Sequence, residues 1–165
     1  MSEFSTSSPV WHVARYPFLG WLETGIKLVA IAIGIVAGVQ ALQTGVFTWP
    51  TGLQLIQTGI IALIAMGLIG TIVDRYLDRE VIAMVFVFLW MAGHVGMLIG
   101  LLYRPWPGLA LIAFSLLMAL GDVVKLRFFV VHNFKVRDIP RRVMFVMTGL
   151  MIACYLVILS IEWIT

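Results

Sequence analysis

Four long stretches of the chain contain no Asp, Glu, Lys or Arg: Leu28–Thr48, Leu53–Val73, Val81–Tyr103 and Val143–Ile161. A helix needs about 20 apolar residues to cross a hydrocarbon core of about 30 Å, so each stretch suffices for a span. The segment from Gly108 to Val131 needs an argument. Its uncharged part stops at Gly121, where a helix begun at Gly108 has covered only about 21 Å. Continuing through Asp122, Lys125 and Arg127 supplies the missing length, with the two cations reaching back to the headgroups. The pattern predicts an all-α integral membrane protein, a bundle of five spans near 28–48, 53–73, 81–103, 108–131 and 143–163. The inner third of the fourth span then holds a carboxylate, about 8 Å deep by counting from Arg127.

Five spans also sort the charges. Arg15, Lys27, Arg75, Arg79, Lys125, Arg127, Lys135, Arg137, Arg141 and Arg142 gather at one end, and Arg104 stands alone at the other. Basic residues flanking spans stay on the cytoplasmic side, which predicts a cytoplasmic N-terminus and an outer C-terminus (N-in/C-out) in a bacterial plasma membrane. Trp49, Tyr103, Trp106 and Trp163 fall at the outer interface and Tyr16, Trp21 and Tyr76 at the inner one, as interfacial aromatics do. Ahead of the first span, Val10–Leu22 mixes aromatic and apolar residues with His12 and Arg15. That mixture predicts a short interfacial amphipathic helix interrupted at Pro17. Met1–Pro9 is Ser-rich, lacks a basic leader and is expected to be a flexible polar tail rather than a cleaved signal. Residues 10–165 make a single transmembrane domain whose short connections leave no room for a soluble catalytic one.

Composition agrees and removes one function class. The 165 residues are 62% hydrophobic and only 12% charged, too few charges to cover a soluble globule. The net charge of +3 suggests nucleic acid at first sight, but the basic residues flank apolar runs and form no polar patch. No nucleic-acid partner is expected; the partners are the lipid bilayer and other membrane subunits or further copies of the chain. The single cysteine, Cys154, lies within an apolar run and reads as a small core hydrophobe.

Chemistry-bearing residues are few. Small residues four apart, Gly34 with Gly38, Ala92 with Gly96 and Gly100, Gly67 with Thr71, and Gly149 with Ala153, predict helix faces that pack closely. Asp122, with Lys125 beside it and Lys27 or Arg75 at similar depth, is either a proton or cation site or a structural ion pair. His94 sits near the middle of the third span and is a candidate haem or chlorophyll ligand, with Gly93 leaving room for a macrocycle. Bis-histidine ligation would need a second histidine at that depth. His12 and His132 are both near the inner surface, and Asp122 lies about 12 Å from His94 in depth. Gln40, Gln43, Gln54 and Gln57 cluster at the outer ends of the first two spans, as a polar vestibule or as cross-hairpin bonds. Glu23 and Lys27, four apart with the acid first, form a favourable helical pair. There is no phosphate-binding glycine loop, no metal-spaced Cys or His set and no catalytic triad, so neither a metal nor catalytic residues are expected.

The leading expectation is a non-catalytic multi-pass protein, an accessory or assembly subunit of a larger membrane complex or a self-associating bundle. The alternatives are a small transporter or channel using Asp122, Lys125 and the glutamines, and a pigment- or haem-binding redox or light-harvesting subunit using His94. No cofactor is required by the sequence.

Overall fold

The computed structural model describes residues 17–77, 81–104, 108–133 and 139–164. The tail Met1–Pro9, the stretch Val10–Tyr16 of the expected interfacial helix, and Arg79, Trp106, Lys135 and Arg137 lie outside the described residues. Five helices run through the rest: α1 (Phe18–Thr44), α2 (Leu53–Leu77), α3 (Val81–Leu102), α4 (Gly108–Val131) and α5 (Arg141–Ile164). Each is long and apolar enough to cross a membrane.

Pro17 caps α1, and its carbonyl accepts from the Gly20 and Trp21 amides, so Phe18–Leu22 continue directly into the first span. Proline suits this place because the first turn lacks intrahelical N–H partners. The expected break at Pro17 is therefore the start of a 27-residue helix, longer than the apolar run and carrying Glu23 and Lys27 inside it. At its far end, α1 stops at Thr44 and the chain turns extended. Val46–Phe47 (β1) pairs antiparallel with Tyr103–Arg104 (β2), in register Val46↔Arg104 and Phe47↔Tyr103. Gly45 permits this join, since a Cβ there would stand 2.8 Å from the Tyr103 Cβ. Phe47 meets Trp49 and Tyr103 edge-on, which ties the two turns at this end together. The opposite, basic end holds the starts of α1, α3 and α5 and the ends of α2 and α4.

α1 packs along both α3 and α4, α2 along α3, and α5 along α4; a shorter contact of α2 with α5 closes the circuit. The contact of α1 with α3 is made by glycines. Gly34 abuts the Gly93 carbonyl, and a Cβ on Gly38 would stand 2.6 Å from the Gly96 Cα. Such backbone approach is how membrane helices gain contact without a hydrophobic drive between them. Gly93 and Gly96 form the facing stripe, with Gly100 also buried and Ala92 half-buried beside it. Gly149 and Ala153 are exposed, and open space surrounds the Gly149 Cβ position, as it does at Gly67. Those positions take no part in packing within the bundle: α5 turns Met144, Thr148, Tyr155 and Ile158 inward instead.

Candidate functional site: a buried ion pair and a histidine–tyrosine bond

Among the described residues the interior holds six buried polar or charged side chains: Lys27, Gln57, His94, Ser115, Asp122 and Thr148. Two of them, Lys27 and Asp122, meet directly, and the part-buried Glu23 joins them. Lys27 Nζ donates to Asp122 Oδ1 at 2.6 Å and to Glu23 Oε1, one turn back on α1, at 2.8 Å. Lys27 and Asp122 are each 1% exposed, whereas the Glu23 side chain is 12% exposed. The neighbouring Gly121 makes the approach feasible, since a Cβ there would stand 2.8 Å from Lys27 Cγ. Gly121 thus leaves room for the aliphatic stem while Asp122 receives the ammonium. The ammonium also lies 4.4 Å from the centroid of the Trp90 ring of α3, a cation–π contact inside the bundle.

Lys125 does not take the role of Asp122's partner. Half-buried, it lies 5.7 Å from the Trp90 centroid and 5.8 Å from that of Phe129, with no carboxylate at ion-pair distance among the described residues. Counted along straight helices, Asp122 stands about 4 Å from the middle of α4 and Lys27 about 6 Å from the middle of α1. The pair therefore lies near the middle of both helices, because α1 begins ten residues before its apolar run and α4 continues to Val131.

Asp122 Oδ2 and Ser115 Oγ are buried without a hydrogen-bond partner among the described residues. Ser115 and Asp122, seven apart, share a face of α4. Orphaned buried polar atoms are uncommon, and each calls for a reason.

His94 belongs to a second group, about 8 Å from Asp122 in depth by the same counting. Its Nδ1 faces the Trp90 carbonyl at 2.8 Å and its Nε2 faces the Tyr155 hydroxyl of α5 at 2.8 Å. A carbonyl only accepts, so Nδ1 carries the proton of the neutral ring and Nε2 accepts from the Tyr155 O–H. Phe114 meets the imidazole edge-on at 5.0 Å and Tyr155 lies at 6.0 Å, so the ring is enclosed by side chains. Iron or magnesium ligation would have to break one of these two bonds and displace those rings. Of the other histidines, His132 meets the Phe128 ring at a tilt at the basic end, and His12 lies outside the described residues.

The glutamines do not converge. Gln40 and Gln43 are exposed on α1 and Gln54 is half-buried, while Gln57 alone is buried, at 1% exposure. Gln57 Nε2 donates to the Ile158 carbonyl and to Glu162 Oε2, both at 3.1 Å. Glu162 is a residue that sequence reasoning passed over as the tail of an apolar run. A signal was present: Tyr155, Ile158 and Glu162, spaced three and four apart, line one face of α5.

No protein-family model, curated protein or solved structure matches the chain. The helices and their lipid-facing apolar surface carry the assignment on their own. The chain is a multi-pass helical membrane protein. Among its described residues no group of three or more His, Cys, Asp or Glu could hold a metal ion.

Proposed function

We propose that this protein is a non-catalytic membrane transporter that moves protons, with Asp122 as the site that binds and releases one proton. The observation that supports it is the Lys27 ammonium shared by two carboxylates inside the helix bundle, 2.6 Å from Asp122 and 2.8 Å from Glu23. Such groups are costly in a bilayer and mark ion and proton pathways. As packing, a buried pair gains little over apolar residues of similar volume, so stability alone gives weak reason to keep it. One ammonium and two carboxylates carry a net charge of −1, and one proton on Asp122 brings the triad to neutrality. Lys27 then remains paired with Glu23, so loading and unloading leave no ammonium unpaired. The balance is simple: the Asp122 carboxylate plus a proton gives the neutral acid, and release reverses it. Oδ2, which has no hydrogen-bond partner among the described residues, is the oxygen that receives the proton. Lys125, the next cation toward the basic end, stabilises the unloaded carboxylate from about one turn away.

In this reading the basic end faces the cytoplasm of a bacterial cell and the strand end faces outward, as the charge asymmetry supports. The test is proton flux in liposomes with an entrapped pH dye and a potassium–valinomycin potential. The wild-type protein dissipates the imposed gradient. Asp122→Asn, which keeps the side-chain shape, brings flux down to that of protein-free liposomes while its gel-filtration and helical signatures persist. A wild-type protein that conducts no protons, or an Asp122→Asn variant that conducts normally, refutes the proposal.

A subunit role stands as a second reading, because Gly67, Gly149 and Ala153 face outward and offer other helices a smooth surface. Native mass measurement after gentle extraction should then find the chain with other subunits or in copies of itself. A uniformly monomeric species counts against it.

A further inference from the structure

The strand end of the bundle holds another carboxylate within the helix assembly. Glu162, in the last turn of α5, is half-buried and is held from two sides. From α2, Gln57 donates to its Oε2, and because the same amide nitrogen also donates to the Ile158 carbonyl, both N–H groups are used. From α4, Gly108 offers its bare Cα: the Glu162 Oε1 lies so close that no Cβ fits at that position. Gly108 is the first residue of α4, where backbone N–H groups lack intrahelical acceptors and the helix dipole is positive. No charged side chain stands at ion-pair distance from Glu162 among the described residues, and Arg104, whose side chain lies outside them, is the other formal charge of this end.

For holding α2 against α5 a glutamine at this position would serve as well, since one oxygen accepting from Gln57 is all that the contact uses. A carboxylate in a membrane bundle costs more than an amide. Its place on α5 is informative. Tyr155, Ile158 and Glu162 share one face, so Glu162 stands about 10 Å beyond the Tyr155–His94 bond toward the strand end. Between the strand end and Asp122, the polar groups include Glu162 with Gln57, Tyr155 with His94, and Ser115.

We infer that Glu162 is the proton-exchange station at the strand end, with Gln57 as its positioning residue; this rests on the proton-transport reading above. The carboxylate takes a proton from hydronium, leaving water and a neutral carboxylic acid. It returns to the carboxylate when that proton passes inward, ultimately to Asp122. Exchange between the carboxylate and the neutral acid leaves the helix contact in place because Oε1 and Oε2 keep their neighbours.

Two measurements on the full chain test this. In the liposome assay, Glu162→Gln should abolish flux while Glu162→Asp retains a part of it, which separates the need for a carboxylate from the need for its shape. In infrared difference spectra of detergent-solubilised protein stepped between acid and alkaline pH, Glu162→Gln should remove one carboxyl C=O band that Asp122→Asn leaves. Normal flux through Glu162→Gln beside a silent Asp122→Asn overturns this inference and leaves the Asp122 reading standing. An infrared spectrum unchanged by Glu162→Gln overturns it independently of any flux. Failure of the wild-type protein to conduct refutes the transport reading itself, whereas the infrared result still reports whether Glu162 titrates.

Discussion

Replacing Lys27 with methionine lowers the unfolding free energy of the detergent-solubilised protein by about 3–5 kcal/mol, the usual cost of leaving a buried partner charge uncompensated. Methionine fills the same groove beside Gly121, so the loss comes from the stranded Asp122 carboxylate rather than from a cavity. The companion variant makes the claim specific. Lys27→Met combined with Asp122→Leu removes both buried charges and recovers most of the loss, since apolar residues of similar volume replace such pairs at little net cost. Glu23 tolerates the double change because its side chain keeps some exposure near the basic end and can be solvated there. Denaturant titration followed by helical signal gives the three free energies and hence the coupling between the two sites. Additive losses, with the double variant as unstable as the sum of its singles, would mean that the pair does not act as a unit. Proton flux divides the same variants differently. The double variant is expected to be stable yet silent, which separates the function of the pair from any contribution to folding.

The spans were readable because hydropathy alone reports them, and α4 was readable in full because only its charged turns make it long enough. The site was harder to see. Lys27 stands just before an uncharged run, where a lysine ordinarily snorkels to headgroups. Nothing local says that α1 starts ten residues earlier and carries it to mid-bundle. Its partner is 95 residues away on α4, and Gly121, the residue that makes room for the stem, reads in sequence as one more membrane glycine. His94 was correctly placed near the middle of α3, yet Tyr155, which satisfies it, lies on a helix that meets α3 only across the interior. The glycine pattern gave Gly34, Gly38 and Gly96 by spacing. It could not distinguish the inward Gly93 from its neighbour Ala92, nor tell that Gly149 faces outward, because four-residue spacing defines a face without saying what that face meets. Glu162 was hidden by position, immediately past an apolar run at an interface where charges are unremarkable.

Those two classes of glycine give the second large effect. Gly96→Ala places a methyl group against the Gly34 carbonyl and 3.0 Å from the Ile35 Cα, both of them backbone, so neither can rotate away. Overpacking of this kind ordinarily costs about 1–3 kcal/mol, and a rigid helix–helix contact puts Gly96→Ala at or above the top of that range. Gly34→Ala meets the Gly93 carbonyl in the same way and should match it. At Gly67 and Gly149 the added methyl group meets nothing. There alanine's better helix propensity, up to about 1 kcal/mol per residue in water, leaves stability unchanged or raised. Unfolding midpoints of the four single variants in one detergent decide the matter. Equal losses at Gly96 and Gly149 would show that α5 packs against something along its outer face, and equal tolerance would show that α1 and α3 do not meet through their glycines. The consequence reaches the ion pair, because the same α1–α3 contact sets the distance from Lys27 to Trp90. Separating those helices by the width of a methyl group loosens the cation–π contact of 4.4 Å and should lower proton flux through Gly96→Ala at temperatures where the variant is still folded.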